Sequence, residues 1–294
     1  MTPPRLPGLG GEPPAGRCLV LGVLNVTPDS FSDGGRWSTR AAAVERGTAL
    51  VAAGADIVDV GGESTRPGAA RVPAEKELAR VVPVVEQLAA AGVPVSVDTT
   101  RAEVAVACVE AGAVLVNDVS GGLADPAMHG CVAELGTAYV AMHWRAHSDR
   151  MDDFASYPAG VGAEVVDELA ARRDAALAAG ILRDRLVLDP GVGFAKTATQ
   201  NWEVLAALPR LARLGQPLLV GASRKRFLGA LPPHGSPGEP RPVERREAAG
   251  VAVTVLAASR GVWAVRVHEP EAHRDAIAVL GAWEAATGGP TDGP

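Results

Sequence analysis

The chain is short of cysteine, has no excess of positive charge and contains no long uninterrupted apolar run, and each shortage removes a class of protein. Three cysteines among 294 residues, Cys18, Cys108 and Cys131, stand far apart with no Cys-x-x-Cys pair, so neither a disulfide framework nor a structural zinc site is indicated. A reducing, cytoplasmic setting fits that usage. The formal charge is -6, from 28 Lys and Arg against 34 Asp and Glu. This gives no electrostatic footprint for nucleic acid or an anionic membrane, yet leaves room for a local basic pocket that takes a small anion. No stretch of membrane-spanning length is free of charge and turn residues, and the amino terminus lacks a basic region followed by a continuous apolar segment. The glycine loop Gly61-Gly62-Glu63-Ser64 is neither a dinucleotide fingerprint nor a Walker loop, and the histidines form no His-Glu-x-x-His, which disfavours nucleotide hydrolysis and catalytic zinc. Partners are therefore expected among small molecules.

What is present is a repeated pattern. Residues Leu19 to Asn25 are almost wholly apolar and of strand length, and they give way at Thr27-Pro28-Asp29 to a polar loop ending in Gly34-Gly35. A strand buried on both faces reads this way where it opens into a working loop. Further strands are predicted at 56–60, 94–98, 114–118, 138–143, 186–189, 217–221 and 262–267. Helices are predicted at 39–52, 74–90, 102–111, 161–179, 202–214, 244–260 and 272–286, with a short helical stretch ending near Gly136. Pro83 inside the second helix marks a kink or a break. Residues 144–160 read as a long, charged, mobile loop of the kind that forms lids, and the Pro- and Gly-rich segment 231–242 as an insertion within a connection.

Eight strand-to-helix units in a chain with 47% hydrophobic residues favour one core and a single (β/α)8 TIM barrel, a fold of about 250 residues. The barrel is expected over residues 17–286, with loose tails at 1–16 and 287–294. A doubly wound sheet is the rival architecture, and it requires two of the apolar runs to be something other than strands.

In such a barrel the carboxyl ends of all strands meet on one face. Here they carry Asn25, Asp59, Asp98, Asn117, His143, Asp189, Lys225, Arg266 and His268. Asp98 and Asp189 with the amide of Asn117 suit an amino-heterocycle, since carboxylates accept from ring N–H groups and an amide both donates and accepts; helix capping is the alternative for each acid. Lys225, with Arg224, Arg226, Arg66 and Arg266, would focus positive charge on a phosphate or carboxylate, unless these residues form surface salt bridges. Asn25 with Asp29 and Asp33 offers oxygen ligands to magnesium, or else shapes a turn. His143 and His268 are expected to make single hydrogen bonds around an anion. Met142, Phe194 and Trp144 either stack on a flat ring or belong to the core.

The motifs Gly22-Val-Leu-Asn25-Val-Thr-Pro-Asp-Ser-Phe-Ser-Asp33, Asp59-Val-Gly-Gly-Glu-Ser-Thr-Arg66-Pro-Gly, Ser96-Val-Asp98-Thr, Asn117-Asp-Val-Ser-Gly, Met142-His, Asp189-Pro-Gly-Val-Gly-Phe, Ser223-Arg-Lys225-Arg-Phe and Arg266-Val-His268 follow one another in that order. With them the chain closely resembles the dihydropteroate synthases, a family of pterin-binding enzymes. The resemblance implies a transferase of folate biosynthesis that joins 6-hydroxymethyl-7,8-dihydropterin diphosphate to 4-aminobenzoate, releases diphosphate and is a sulfonamide target. It implies catalytic roles for Asp98, Asp189, Lys225, Asp33 and Arg266. Asp98, Asn117, Met142, Asp189 and Lys225 would hold the pterin, and Asn25, Arg266 and His268 the diphosphate. Magnesium would sit at Asn25 and Asp33. Two loops, 27–37 and 63–72, would close over substrate and bring Asp33, Phe31, Thr65, Arg66 and Pro67, with Arg226, to the aminobenzoate; some family members have serine at the position of Arg226. The resemblance further implies a homodimer and an SN1-like route through a pterin cation. A pterin-binding methyltransferase module and a synthase-like protein without activity are the alternatives.

Overall fold

The computed structural model describes residues 17–27, 36–63, 71–147, 150–233, 236 and 238–287, and at 36–39 and 152 it describes the backbone. Its strands are β1 (Leu19–Asn25), β2 (Ile57–Gly61), β3 (Val95–Asp98), β4 (Leu115–Asp118), β5 (Ala138–Met142), β6 (Leu186–Asp189), β7 (Leu219–Val220) and β8 (Ala264–Val267). They pair in parallel in the order β6-β5-β4-β3-β2-β1-β8-β7. The two ends of that order meet, because Leu188 bridges Leu218 and the Leu188 N–H donates to the Pro217 carbonyl at 2.9 Å. The sheet is a closed barrel. A doubly wound sheet would leave two open edges, so that rival is excluded. The seventh strand is shorter than its five-residue apolar run, since only two of those residues lie in the ladder with β8.

Strand period two sorts the side chains. Leu19, Leu21, Ile57, Leu115, Val140, Val187 and Leu219 form one buried cluster inside the barrel, closed by Trp263 and Ala264. The alternate residues, among them Val20, Val58, Val60, Val97, Val116 and Leu188, join the larger cluster beneath the helices. Each such apolar side chain contributes about 1.5–3 kcal/mol on burial. Continuing the inward parity along each strand reaches Asp59, Asp98, Asn117, Met142, Asp189 and Arg266. The alternation that fills the core therefore also delivers the polar groups to the barrel mouth.

The outer ring comprises α1 (Arg36–Ala52), α2 (Ala74–Ala90), α3 (Ala102–Glu110), α4 (Met128–Leu135), α5 (Val161–Ala178), α6 (Ala198–Ala206), α7 (Leu208–Ala212), α8 (Arg226–Gly229), α9 (Glu247–Ala258) and α10 (Pro270–Ala286). Helix α2 buries Val81, Val84, Val85 and Leu88 at helical spacing and passes through Pro83 without a break. The carbonyl that Pro83 leaves without its helical donor belongs to Ala79, on the exposed side, where water can replace the lost bond. Helix α6 starts four residues earlier than its apolar spacing predicts. Thr197 and Gln200 form a capping box there, the Thr197 hydroxyl accepting from the Gln200 N–H and the Gln200 amide from the Thr197 N–H.

Two connections are held by specific contacts, and the one after α8 is the connection in which the 231–242 insertion is expected. The expected mobile loop after β5 is tied down where it is described: the Arg145 guanidinium stacks over Tyr157 at 3.8 Å and donates to the carbonyls of Phe154 and Ser156. The Tyr157 hydroxyl in turn donates to Ala195 O at 3.0 Å. The segment after α8 folds back on the barrel, with the Arg241 N–H donating to Gly229 O and the Arg246 guanidinium bonding the carbonyls of Arg241 and Arg224.

Candidate active site

Asp59 lies at the centre of the mouth. It is fully buried, and its Oδ2 accepts from Arg266 Nε at 2.5 Å and from Asn117 Nδ2 at 3.0 Å. The other arm of the same guanidinium reaches across to Asp98 Oδ2 at 2.7 Å. Three strands, β2, β3 and β8, are thus joined through one cation. Burial works against the charge of Arg266, but Asp59 and Asp98 hold its pKa above the usual arginine value. Burial pushes Asp98 well above the usual carboxylate range, with Arg266 opposing and Asp59 adding to the shift. A carboxylate so placed is short of compensation and gains from a further donor.

Next to β8, at the end of β6 and after β7, stand Asp189 and Lys225. Asp189 Oδ1 accepts from the Gly191 N–H at 2.7 Å, and burial raises its pKa against the pull of Lys225. Lys225 Nζ donates to Val192 O and lies 4.6 Å from the centroid of the Phe194 ring. Burial lowers its pKa to about 8, with Asp189 opposing. The turn that carries these partners needs glycine: Gly193 has φ +83°, and a Cβ there would overlap the Lys225 side chain. Arg224, just before Lys225, has a φ of 63°, a conformation costing about 1–3 kcal/mol that clusters at functional turns. Its guanidinium is held by Glu269 at 2.7 Å. Met142 is buried at the end of β5, in register with Asp189.

His268 Nδ1 lies 3.1 Å from the Ser223 hydroxyl, whose oxygen also accepts from the His268 N–H at 3.3 Å. Asn25 ends β1 in register with Gly61 and is half-buried. Arg226 opens α8 and is exposed at the rim. Phe31, Asp33, Thr65, Arg66 and Pro67 lie outside the described residues, as does Asp29.

His143 does not face an anion-binding mouth. It is buried behind the strand ends, with Nε2 2.9 Å from Glu168 Oε2 and Nδ1 3.0 Å from Lys196 Nζ. Motifs alone do not disclose the anchoring role of Asp59; its parity with Ile57 is the signal that could have found it. Asp118, the residue after Asn117, serves the scaffold instead. It faces outward and accepts from the Tyr139 hydroxyl, Ser120 and Gly122, fixing the loop after β4.

No group of three or more His, Cys, Asp or Glu that could hold a metal occurs among the described residues. The donor chemistry nonetheless fits magnesium, which keeps most of its waters and shares phosphate oxygens, so that it asks little of the protein beyond an oxygen such as the Asn25 amide.

Comparison with known proteins places the chain in a family. The family model described as pterin binding enzyme matches residues 21–268. The dihydropteroate synthase of Mycobacterium leprae is 56% identical over 264 residues, covering 90% of this chain and 93% of that protein. The Xanthomonas albilineans dihydropteroate synthase with 4-aminobenzoic acid superposes with a TM-score of 0.86 at 45% identity, covering 98% of this chain and 100% of that one. The same organism's enzyme in complex with 7,8-dihydropteroate gives 0.83 at 43% identity, with the same coverage. The chain belongs to the pterin-binding enzyme family and, within it, to the dihydropteroate synthases.

Proposed function

We propose that this barrel mouth joins 6-hydroxymethyl-7,8-dihydropterin diphosphate to 4-aminobenzoate, giving 7,8-dihydropteroate and diphosphate through an SN1-like pterin cation. The observation that carries the reading is the pairing of two buried acids, Asp98 and Asp189, with the donors Asn117, Lys225 and Arg266 around one opening. Such a ring matches the edge of a pterin, whose N–H and amino groups seek carboxylates and whose carbonyl and ring nitrogen seek donors. Met142 and Phe194 offer apolar surface to its faces. Arg266 and His268, beside Asn25, take the diphosphate. Phe31, Asp33, Thr65, Arg66, Pro67 and Arg226 are assigned to the aminobenzoate on motif alone.

The chemistry follows from the charges. As the methylene C–O bond breaks, both electrons leave with the diphosphate, and the cations of Arg266 and Lys225 stabilise the charge that develops on it. Magnesium held at Asn25, with Asp33 as its motif-assigned partner, would supply further charge neutralisation to the leaving group. The positive charge left on the pterin methylene faces Asp98 and Asp189. The arylamine nitrogen then attacks and loses a proton, without a strong general base.

A homodimer is supported by the outer wall, where Leu256 on α9 and Val279 and Trp283 on α10 are exposed apolar residues on helices that pack together. A cytoplasmic setting is supported by the free thiols. Incubating purified protein with both substrates and magnesium tests the assignment; dihydropteroate is the expected product, and its absence at every concentration contradicts the reading. Rapid quench with the pterin diphosphate alone tests the route. Diphosphate should appear before aminobenzoate is added, and a strict requirement for aminobenzoate argues against a free cation.

A further inference from the structure

The turn between β6 and α6 is gripped from two sides by lysines. Lys225, in the mouth, donates to the carbonyl of Val192. Lys196, buried behind the mouth, donates to the carbonyls of Gly191 and Phe194, each at 3.0 Å. Its third contact is His143 Nδ1, also at 3.0 Å. An ammonium group has three donors and no acceptor, so these partners use it fully. They also fix the imidazole: Nδ1 must accept, the proton stands on Nε2, and Nε2–H donates to Glu168 Oε2 at 2.9 Å. The carboxylate of Glu168 is shared with Arg145.

Packing alone does not call for this lysine. Among these hydrogen-bond partners it has no carboxylate, and a methionine would fill a similar volume without desolvating a charge. Burial first, and then the charge of Lys225, lowers its pKa to about 7. What the ammonium adds is a link from the strand β5 side to two carbonyls of a turn whose remaining groups face the mouth. The Gly191 N–H holds Asp189, the Val192 carbonyl holds Lys225, and the Phe194 ring lies against Lys225. Gly191 is also crowded against this support, since a Cβ at its φ of 65° would overlap the His143 carbonyl.

We propose that Lys196, held by the His143–Glu168 pair, is a positioning residue for the pterin: it sets the Gly191–Phe194 turn so that Asp189 and Lys225 face the ring together. The inference rests on the function proposed above, because it takes those two residues as pterin ligands. Lys196 itself touches no substrate. Loss of the outer hydrogen-bond partners of metal ligands typically costs about 10–100-fold in affinity or activity, and the same scale is taken for the support of Asp189 and Lys225.

The test measures binding of the pterin diphosphate by calorimetry, and KM for both substrates, in the wild type, Lys196→Met, His143→Asn and His143→Leu. Asparagine keeps an oxygen close to the place of Nδ1 and leucine does not. Lys196→Met should weaken pterin binding at least about tenfold and leave KM for 4-aminobenzoate unchanged. His143→Asn should retain affinity, and His143→Leu should lose it in parallel with Lys196→Met. A merely structural lysine would lower the melting temperature without separating the two KM values or the two His143 variants. Wild-type affinity in a folded Lys196→Met protein overturns the inference. If that variant does not fold, equal pterin affinity in His143→Asn and His143→Leu overturns it. A wild-type protein that fails to bind the pterin diphosphate overturns the functional reading and the inference with it, which separates the two failures.

Discussion

Arg266 and Asp59 sit on neighbouring sides of the barrel mouth, separated by 207 positions in sequence and by 2.5 Å in space. The pair does more than neutralise charge. It leaves the second arm of the guanidinium aimed at Asp98 and holds the Asn117 amide through the same carboxylate oxygen. Removing Asp59 leaves Arg266 with Asp98 as its one carboxylate partner and the Asn117 amide without its acceptor, a loss of about 1–3 kcal/mol for a buried polar group left unpaired. Asp59→Ala should lower denaturant stability by that order and reduce kcat/KM for the pterin substrate. Asp59→Asn, which keeps the shape, should lose less of both. Equal stability of Asp59→Ala and wild type in an unfolding titration would remove Asp59 from its anchoring role.

The pH dependence has a sign that follows from the groups. Lys225 is a cation and a three-fold donor only when protonated, and burial has brought its pKa down to about 8. Pterin binding should therefore weaken as pH rises through about 8. Asp98 accepts a ring N–H most strongly when ionised, and burial places its titration above the usual carboxylate range, so binding should also weaken on acidification earlier than an ordinary aspartate would allow. Lys225→Arg should move the alkaline limb upward while leaving the acid limb in place. A profile of kcat/KM that is flat across this window contradicts the assignment.

Gly193→Ala tests the close approach of the turn to Lys225. The new methyl group would meet the lysine side chain at a backbone angle that L-residues rarely adopt. The expected result is a raised pterin KM with the aminobenzoate KM unchanged. An unaltered pterin KM would mean that the turn tolerates displacement and does not set the position of Lys225.

Thiol chemistry gives a test of the packing. Cys18 and Cys108 are buried, and burial pushes both thiols up to about 12; Cys131 is only half-buried. Native protein should react rapidly with a thiol reagent at one cysteine and release the other two on denaturation. Rapid labelling of Cys108 would show that the α3 packing is wrong.

The homodimer proposed above is tested at the outer wall. Trp283→Glu on α10 places a charge in the exposed apolar patch that includes Val279 and Leu256, and it should convert a dimer to monomer in sedimentation. An unchanged sedimentation coefficient would direct attention to another face.

Strand period two puts Asp98, Asn117, Met142, Asp189 and Arg266 in phase with the apolar residues that fill the barrel, so much of the site is legible from the core outward. The four-residue helix α8 is not legible, because it is about one turn long and has no apolar repeat. The start of α6 is visible only as the Thr197–Gln200 cap, which apolar spacing does not register. Lys196, His143 and Glu168 escape because they are joined by tertiary packing alone: no spacing rule connects a lysine after a glycine turn to an acid in the middle of α5. Pro83 reads as a kink or a break, and the helix runs through it without a break, since whether a helix tolerates proline depends on which way the orphaned carbonyl faces.

The most direct measurement is product formation by the purified chain with 6-hydroxymethyl-7,8-dihydropterin diphosphate, 4-aminobenzoate and magnesium, followed by chromatography for dihydropteroate and by diphosphate release, in the wild type and in Asp98→Asn. The account predicts equal amounts of the two products from the wild type and a loss of both in Asp98→Asn. Pterin binding without either product from the wild type, or undiminished turnover by Asp98→Asn, would contradict it.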